Sequence, residues 1–331
     1  MKNLILPALL LATAGLAGCE TAVDLPEPPH TPRVALTYTL TPGPPDSSFA
    51  ELYGGRQLYI SNSQRVFDTS QLGGRADATV ELRNAAGAVV ERYRPILTGG
   101  NPQYGYYGQP GYYRPVLGFR PQVGQAYTLR ATLPGFETAE STLTLPAPAV
   151  IESATYVPRS VANANYGQST GRLSVVLRDD PATANYYLAF ARLLDRQGNP
   201  GNWSPVDVDY DSQSNTAGSI GQFQLSSPRQ QYSLYPFADT DANGQRIALN
   251  ADVRYYSSCY PSGPNCPQPG YMEVYVSSIT KEAYDFYLSR RRYYDSDGNP
   301  FAEPAPLASN VRSGYGIFGG ATDVTYRIQL P

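Results

Sequence analysis

Apolar and polar residues alternate along most of the chain after residue 32, with a period close to two. This period places successive side chains on opposite faces of an extended backbone, so it predicts half-buried β-strands rather than helices. The predicted strands follow one another at the short spacing of a β-sandwich: 34–40, 78–82, 89–93, 126–131, 141–145, 173–177, 186–194, 223–225, 253–256, 272–279 and 324–330.

Turn and capping residues refine this picture. Asn84-Ala85-Ala86-Gly87 stands between two predicted strands and indicates a hairpin. One segment has helical character, residues 281 to about 294, with Thr280 as its N-cap and Glu282 in its first turn. The predicted fold class is therefore all-β, with two β-sandwich-like domains and one short α-helix near the C-terminus.

The N-terminal segment has the pattern of an export signal. Lys2 precedes an apolar run at 4–16 that is too short for a permanent membrane span. The run ends in Leu16-Ala17-Gly18-Cys19, which resembles the lipobox of bacterial lipoproteins. That resemblance implies removal of residues 1–18, acylation of Cys19 with palmitate among its lipids, and anchorage to the outer membrane on its periplasmic or external face. An ordinary cleaved signal with an unrelated cysteine is the alternative.

Proline-rich segments mark the predicted domain organisation. Residues 19–32 contain four prolines and predict an extended, lipidated tether. His30, the single histidine of the chain, lies in this tether, which argues against a catalytic or metal-binding role for it. Pro146-Ala147-Pro148 separates two groups of strands. The predicted units after the tether are an N-terminal β-sandwich at 33–147 and a C-terminal β-rich domain at 148–331.

Composition excludes several function classes. The 25 basic and 28 acidic residues give a net charge of -3, which leaves no basic excess for nucleic-acid binding. No GxSxG, HExxH, CxxC or Walker motif occurs. We therefore predict a non-catalytic protein without a cofactor. Acidic pairs such as Asp179-Asp180 leave a carboxylate-based polysaccharide hydrolase as the least favoured alternative.

Two cysteines remain after Cys19. Cys259 and Cys266 flank a short segment that is rich in turn-forming residues. In an exported protein such a pair predicts a disulfide. A soft-metal site is the alternative, although two cysteines without a neighbouring histidine are a poor ligand set.

A tyrosine- and glycine-rich stretch interrupts the N-terminal strands. Its candidate ligand-binding residues are Tyr104, Tyr106, Tyr107, Tyr112 and Tyr113. Exposed rings with polar hydroxyls can stack on sugars or pack against a partner protein. A long mobile hairpin insertion without a binding role explains the same composition equally well.

A weak calcium motif occurs in the C-terminal half. Asp239, Asp241 and Asn243 place oxygen atoms at alternate positions, and Gly244 follows. An EF-hand requires glutamate at its twelfth position, where this chain has Asn250. A hairpin or Asx-turn is therefore the favoured interpretation.

The GxGxxG spelling at 314–319 lacks the βαβ context of a dinucleotide-binding fingerprint. We therefore predict a glycine turn packed near the last strand. No nucleotide cofactor follows from the spelling.

The C-terminal segments carry a family resemblance. Ser278 to Tyr287, the run Asn299-Pro-Phe-Ala-Glu-Pro-Ala-Pro-Leu-Ala-Ser-Asn310 and Gly316-Ile-Phe-Gly-Gly320 resemble the domain of unknown function 4249 family of bacterial outer-membrane lipoproteins. Residues 33–147 resemble a prealbumin-like or carboxypeptidase-regulatory-like β-module. The family has no established activity.

The family resemblance implies association with a TonB-dependent transporter. The predicted function is that of an accessory lipoprotein that binds a glycan or another nutrient. A structural or envelope-interaction lipoprotein without a transported ligand is the alternative.

Overall fold

The computed structural model describes residues 26–43, 56–65, 68, 70, 72–96, 110–159, 167–200, 206–209, 225–226, 234–240, 243–257, 268–296 and 305–331. Their elements are β1 (Val34–Leu40), β2 (Leu58–Asn62), β3 (Thr79–Asn84), β4 (Val89–Pro95), β5 (Tyr112–Pro115), β6 (Ala126–Thr132), β7 (Ala139–Thr144), β8 (Val150–Arg159), β9 (Gln168–Arg178), β10 (Tyr186–Leu194), β11 (Asp207–Val208), β12 (Phe237–Ala238), β13 (Arg246–Tyr256), β14 (Tyr271–Ile279), α1 (Lys281–Ser296) and β15 (Gly314–Gln329). The fold is all-β and sandwich-like with one short helix near the C-terminus, as predicted.

The chain forms two compact units. All named elements belong to the unit of residues 32–63 and 71–331, and a small unit comprises residues 1–31 and 64–70. Within the small unit, Arg65 forms an ion pair with Glu27 at 3.3 Å. The proline-rich sequence predicts an extended tether in part of this unit.

The long strand β15 connects the two groups of strands. Its first half, from Gly314 to Gly320, pairs in parallel with β1, and its second half, from Ala321 to Gln329, pairs antiparallel with β14. The strand β15 therefore pairs with one strand from each predicted domain, β1 and β14. The boundary predicted at residue 147 stays a prediction.

The N-terminal strands follow β15 in the order β1-β2-β5-β4-β3-β6-β7 and form one end of an 11-stranded sheet, which we call the N-terminal sheet. Alternate residues of these strands point inward, so apolar side chains form a common core, which includes Val34, Leu58, Leu82, Tyr113 and Leu129. An antiparallel bridge joins Glu140 of β7 to Arg312, just before β15. The edge strand β7 thus lies beside the start of β15, the strand that pairs with β1.

The C-terminal strands form a sandwich. The strands β12-β10-β14-β15 form the other end of the 11-stranded sheet, and β11-β13-β9-β8 form a separate four-stranded sheet. Their inward-facing residues share one core, which includes Leu173, Val175, Ala189, Val253 and Val274. Full burial of a leucine or valine side chain contributes roughly 1.5–3 kcal/mol, so this core stabilises the sandwich.

The helix α1 covers the opposite face of the sheet that contains β10 and β14. Ala283, Phe286 and Tyr287 pack there against Phe190 and Ile317. Thr280 caps the helix, because its hydroxyl accepts a hydrogen bond from the Ala283 N–H at 3.4 Å. The predicted helix and its cap are confirmed. Within the described part of the chain, no helix has the length and apolarity to cross a membrane.

The glycine turn predicted at 314–319 is wrong, because these residues belong to β15. Gly316 has φ +102°, and a Cβ there would lie 1.9 Å from the carbonyl oxygen of Leu36 on the paired strand. Glycine is required for this close approach of two backbones. Long-range pairing with β1 therefore overrides the local preference of glycine for turns.

Candidate functional site

A cleft of about 570 Å³ lies at one end of the C-terminal sandwich. One wall comes from the end of β8, the start of β9 and the end of β13, and the other from residues next to β10, β14 and β15. This volume falls within the range of roughly 300–1,000 Å³ that is typical of ligand pockets. Its polar lining residues are Tyr156, Arg159, Gln168, Ser169, Thr170, Arg196, Tyr255, Ser257 and Gln268.

Two tyrosines form an aromatic wall of the cleft. The rings of Tyr156 and Tyr255 lie 6.0 Å apart at an angle of 51°. A Cβ at Gly171 would lie 2.5 Å from ring atoms of Tyr156, so glycine lets the ring pack directly onto the backbone of β9. Burial and the neighbouring Tyr255 phenol raise the pKa of Tyr156, which keeps its hydroxyl protonated. The wall is therefore a fixed aromatic surface.

A buried carboxylate holds the arginine at the rim of the cleft. Asp252 is 1% exposed, and its two oxygens accept hydrogen bonds from Arg159 at 2.6 Å and from Arg172 at 3.1 Å. This carboxylate therefore fixes two guanidinium groups beside the cleft.

Backbone contacts fix the position of other lining residues. The Ser257 N–H donates to the carbonyl of Gly167 at 2.9 Å, which joins the end of β13 to the start of β9. The Thr170 hydroxyl donates to the carbonyl of Arg159 at 3.1 Å. These bonds hold the polar groups on regular strands, and sites on strands are more rigid than sites on loops.

The lining favours a polar ligand. Hydroxyl, amide and guanidinium groups donate hydrogen bonds, and the first two also accept them. Among the described lining residues there is no Asp, Glu, His or Cys side chain. A hydroxyl-bearing ligand could exchange hydrogen bonds with these groups while one of its faces packs against the tyrosine wall.

Sequence reasoning did not identify this cleft. Its residues come from six separate chain segments, and none of these segments carries a recognisable motif. Ser257 and Gln268 line the cleft on either side of the segment that contains Cys259 and Cys266. The one sequence signal for the cleft was that two of its lining residues flank the predicted disulfide.

Several predicted site residues lie outside the described part of the chain: Cys19, Tyr104, Tyr106, Tyr107, Asp241, Cys259 and Cys266. Their proposed roles in lipid attachment, ligand binding, calcium binding and disulfide formation stay predictions.

The two described tyrosines of the tyrosine-rich stretch occupy different environments. Tyr113 is 1% exposed, accepts a hydrogen bond from the Ala78 N–H and donates one to the carbonyl of Arg75, each at 2.9 Å. It is a core residue, which corrects the expectation that its ring is exposed. Tyr112 is half-buried and packs against Tyr59, with ring centroids 4.9 Å apart.

The described part of the calcium motif belongs to a hydrogen-bonded turn. Asp239 is buried and accepts a hydrogen bond from the Asn185 N–H at 3.0 Å. The side-chain amide of Asn185 donates to Asp179 at 3.2 Å and to Asp239 at 3.4 Å, so this one amide joins two carboxylates. In the ranges that the structure describes, no group of three or more His, Cys, Asp or Glu residues could hold a metal ion.

The comparison with protein families gives one match. The model of a family described as Domain of unknown function (DUF4249) matches residues 46–327. The matched range contains β2 to β14, α1 and nearly all of β15, and it includes every polar residue of the cleft. No curated protein matches the chain.

Proposed function

Because this chain belongs to the domain of unknown function 4249 family, we propose that it is a lipid-anchored outer-membrane protein that binds a polar ligand as an accessory component of a TonB-dependent transporter. It catalyses no reaction in this proposal. The observation that carries the binding role is the polar cleft of about 570 Å³. The lipobox-like sequence that ends at Cys19 supports anchorage.

The chemistry of the cleft supports a glycan or a similar hydroxyl-bearing nutrient as ligand. Gln168 and Gln268 offer both donors and acceptors, and Arg196 offers further donors. Tyr156 and Tyr255 supply a rigid aromatic wall. Sugars present hydroxyls at their edges and C–H groups on their faces, so this combination matches both parts of a sugar ring.

Co-purification tests the transporter association. The tagged chain is extracted from outer membranes with a mild detergent, and associated proteins are identified by mass spectrometry. We expect a TonB-dependent transporter in amounts similar to those of the chain. A Cys19→Ala variant controls for anchorage and should lose metabolically incorporated palmitate. Recovery of the anchored chain without a transporter contradicts the proposal and favours the structural alternative.

Ligand binding is tested separately on a glycan array and by titration of the glycans that bind. The double variant Gln168→Ala/Arg196→Ala removes two polar groups of the cleft and should weaken binding by about tenfold or more, which corresponds to about 1.4 kcal/mol. Gln125→Ala/Arg178→Ala removes the same groups at exposed positions elsewhere and should leave binding unchanged. Equal affinity of the two double variants would exclude the cleft as the binding site.

A further inference from the structure

An uncompensated positive surface lies on the outer face of the N-terminal sheet. Arg94 of β4 and Arg114 of β5 are directly opposite each other in the antiparallel register. Both are exposed, while Tyr93 and Tyr113 next to them point into the core. Like charges in direct cross-strand pairs destabilise a sheet. The pair thus has a cost in stability that favours a functional explanation.

These arginines have no acidic partner within the described ranges. Neither Arg94 nor Arg114 forms an ion pair there, whereas many other arginines do. The neighbouring Glu81 contacts Arg83 at 3.0 Å and Arg92 at 3.7 Å. The net charge of the whole chain is -3, so this concentration of positive charge is a local feature.

Two exposed apolar side chains adjoin the arginines. Val116 and Leu117 follow β5 directly and are 51% and 56% exposed. The Val116 N–H donates to the carbonyl of Arg92 at 2.9 Å, which ties this segment to β4. We name the residues Arg94, Arg114, Val116 and Leu117 the basic-apolar surface.

A buried carboxylate fixes the segment that carries the apolar pair. Glu91 is 2% exposed and accepts hydrogen bonds from the N–H groups of Val116 at 3.0 Å, Leu117 at 2.6 Å and Phe119 at 2.9 Å. The backbone of the segment is thus held in place while the side chains of Val116 and Leu117 face solvent. The two side chains are presented in a defined position.

We propose that the basic-apolar surface docks onto an anionic lipid membrane. Guanidinium groups form hydrogen bonds with lipid phosphates, and apolar side chains beside them enter the boundary between headgroups and acyl chains. A soluble polyanion would engage the arginines but would leave Val116 and Leu117 in water. The adjacency of both kinds of group therefore favours a membrane.

This docking surface does not depend on the transporter association or on the cleft. A lipid anchor at Cys19 holds the chain at the membrane but does not by itself orient the folded unit. The basic-apolar surface would provide a second contact and restrict the orientation of the folded unit on the membrane.

The test is sedimentation with lipid vesicles. The predicted mature chain carries Cys19→Ser, so that no lipid is attached, and is mixed with phosphatidylcholine vesicles with or without phosphatidylglycerol. We expect sedimentation with the phosphatidylglycerol vesicles, and release from them at high salt. Arg94→Gln/Arg114→Gln should weaken binding by about tenfold or more. Arg178→Gln/Arg292→Gln removes the same charge from exposed positions elsewhere and should bind as the parent does.

A second variant separates a membrane from a soluble polyanion. Val116→Ser/Leu117→Ser should weaken binding to the vesicles and leave binding to heparin unchanged. Circular dichroism verifies that each variant is folded. Vesicle binding that is unaffected by the arginine substitutions overturns the proposal. Vesicle binding that is unaffected by the serine substitutions also overturns it, because the surface would then recognise only negative charge.

Discussion

The carboxylate of Glu91 offers a quantitative test of how the N-terminal sheet holds its exposed segment. Its Oε1 accepts hydrogen bonds from the N–H groups of Arg92, Val116 and Leu117, and its Oε2 accepts one from Phe119. Glu91→Gln retains the shape of the side chain but removes its charge. The NH₂ group of the glutamine then replaces one carboxylate oxygen, so a donor faces a backbone N–H where the glutamate had an acceptor.

The expected cost follows from these four bonds. Hydrogen bonds to charged groups contribute roughly 1.5–3 kcal/mol each, and neutral ones about half of that. Loss of the Phe119 bond and weakening of the other three by about half predict a decrease of about 4–7 kcal/mol in the free energy of unfolding. Glu137→Gln is the control: its exposed carboxylate accepts a hydrogen bond from Ser313 at 2.6 Å, and the substitution should change this free energy by less than about 1 kcal/mol.

The effect should depend on pH with a defined sign. Burial alone raises the pKa of Glu91, but the N–H donors of Leu117, Phe119, Arg92 and Val116 outweigh it and hold the pKa below its ordinary value of 4.5. A lowered pKa in the folded state means that the stabilisation is present above the unfolded pKa. It is lost as the pH falls through the folded value.

Urea unfolding of the parent and both variants at several pH values provides the assay. The difference between the parent and Glu91→Gln should be largest near neutral pH and should shrink below about pH 4. Amide exchange at Val116 and Leu117 should accelerate in the variant, because their N–H groups lose a charged acceptor. A destabilisation below about 1 kcal/mol at pH 7, or one that does not change with pH, would refute this reasoning.

Two further substitutions test the strand pairing and the cleft. Gly316→Ala places a Cβ 1.9 Å from the carbonyl oxygen of Leu36 and should lower the free energy of unfolding by about 3 kcal/mol or more. Gly87→Ala, also at positive φ but in open space, should lower it by only about 1–2 kcal/mol. Chemical denaturation distinguishes the two variants, and equal losses would contradict the close approach of the two backbones. Asp252→Asn removes the charge that holds Arg159, so urea unfolding should show a decrease of about 1–3 kcal/mol in the free energy of unfolding. Titration with a ligand of the cleft should also show a changed affinity, because Arg159 lines the cleft. No change in either would contradict the assigned role of this carboxylate.

Much of the secondary structure was predictable because local patterns and tertiary pairing agree. The segment 34–40 alternates between apolar and polar residues, and β1 spans it. The hairpin between β3 and β4 follows from the turn residues that end in Gly87, which has φ +79°. In these places the side chains that must be buried recur with the period of a strand.

The strand β15 shows where local sequence was insufficient. Its second half was predicted from the apolar alternation at 324–330. Its first half contains four glycines, which have a low intrinsic preference for strands. Close approach to β1 and packing against α1 select glycine there: a Cβ at Gly319 would lie 3.0 Å from the Cβ of Ala283. This constraint comes from residues distant in sequence.

The cleft and the basic-apolar surface were not predictable for a similar reason. Tyr156 and Gln268 are more than one hundred positions apart in the chain, yet both line one cleft. Arg94 and Arg114 are separated by the tyrosine-rich stretch and meet only because β4 pairs with β5. Sequence reasoning identified the stretch between them as a candidate site but could not identify the surface that this pairing creates.

The composition of detergent-extracted complexes tests the proposed function most directly. The anchored chain is isolated from outer membranes, and the molar ratio of transporter to chain is measured by quantitative mass spectrometry. An accessory binding protein predicts a TonB-dependent transporter in near-equimolar amount. The palmitate-labelled chain recovered alone, under conditions that preserve other outer-membrane complexes, would contradict that function.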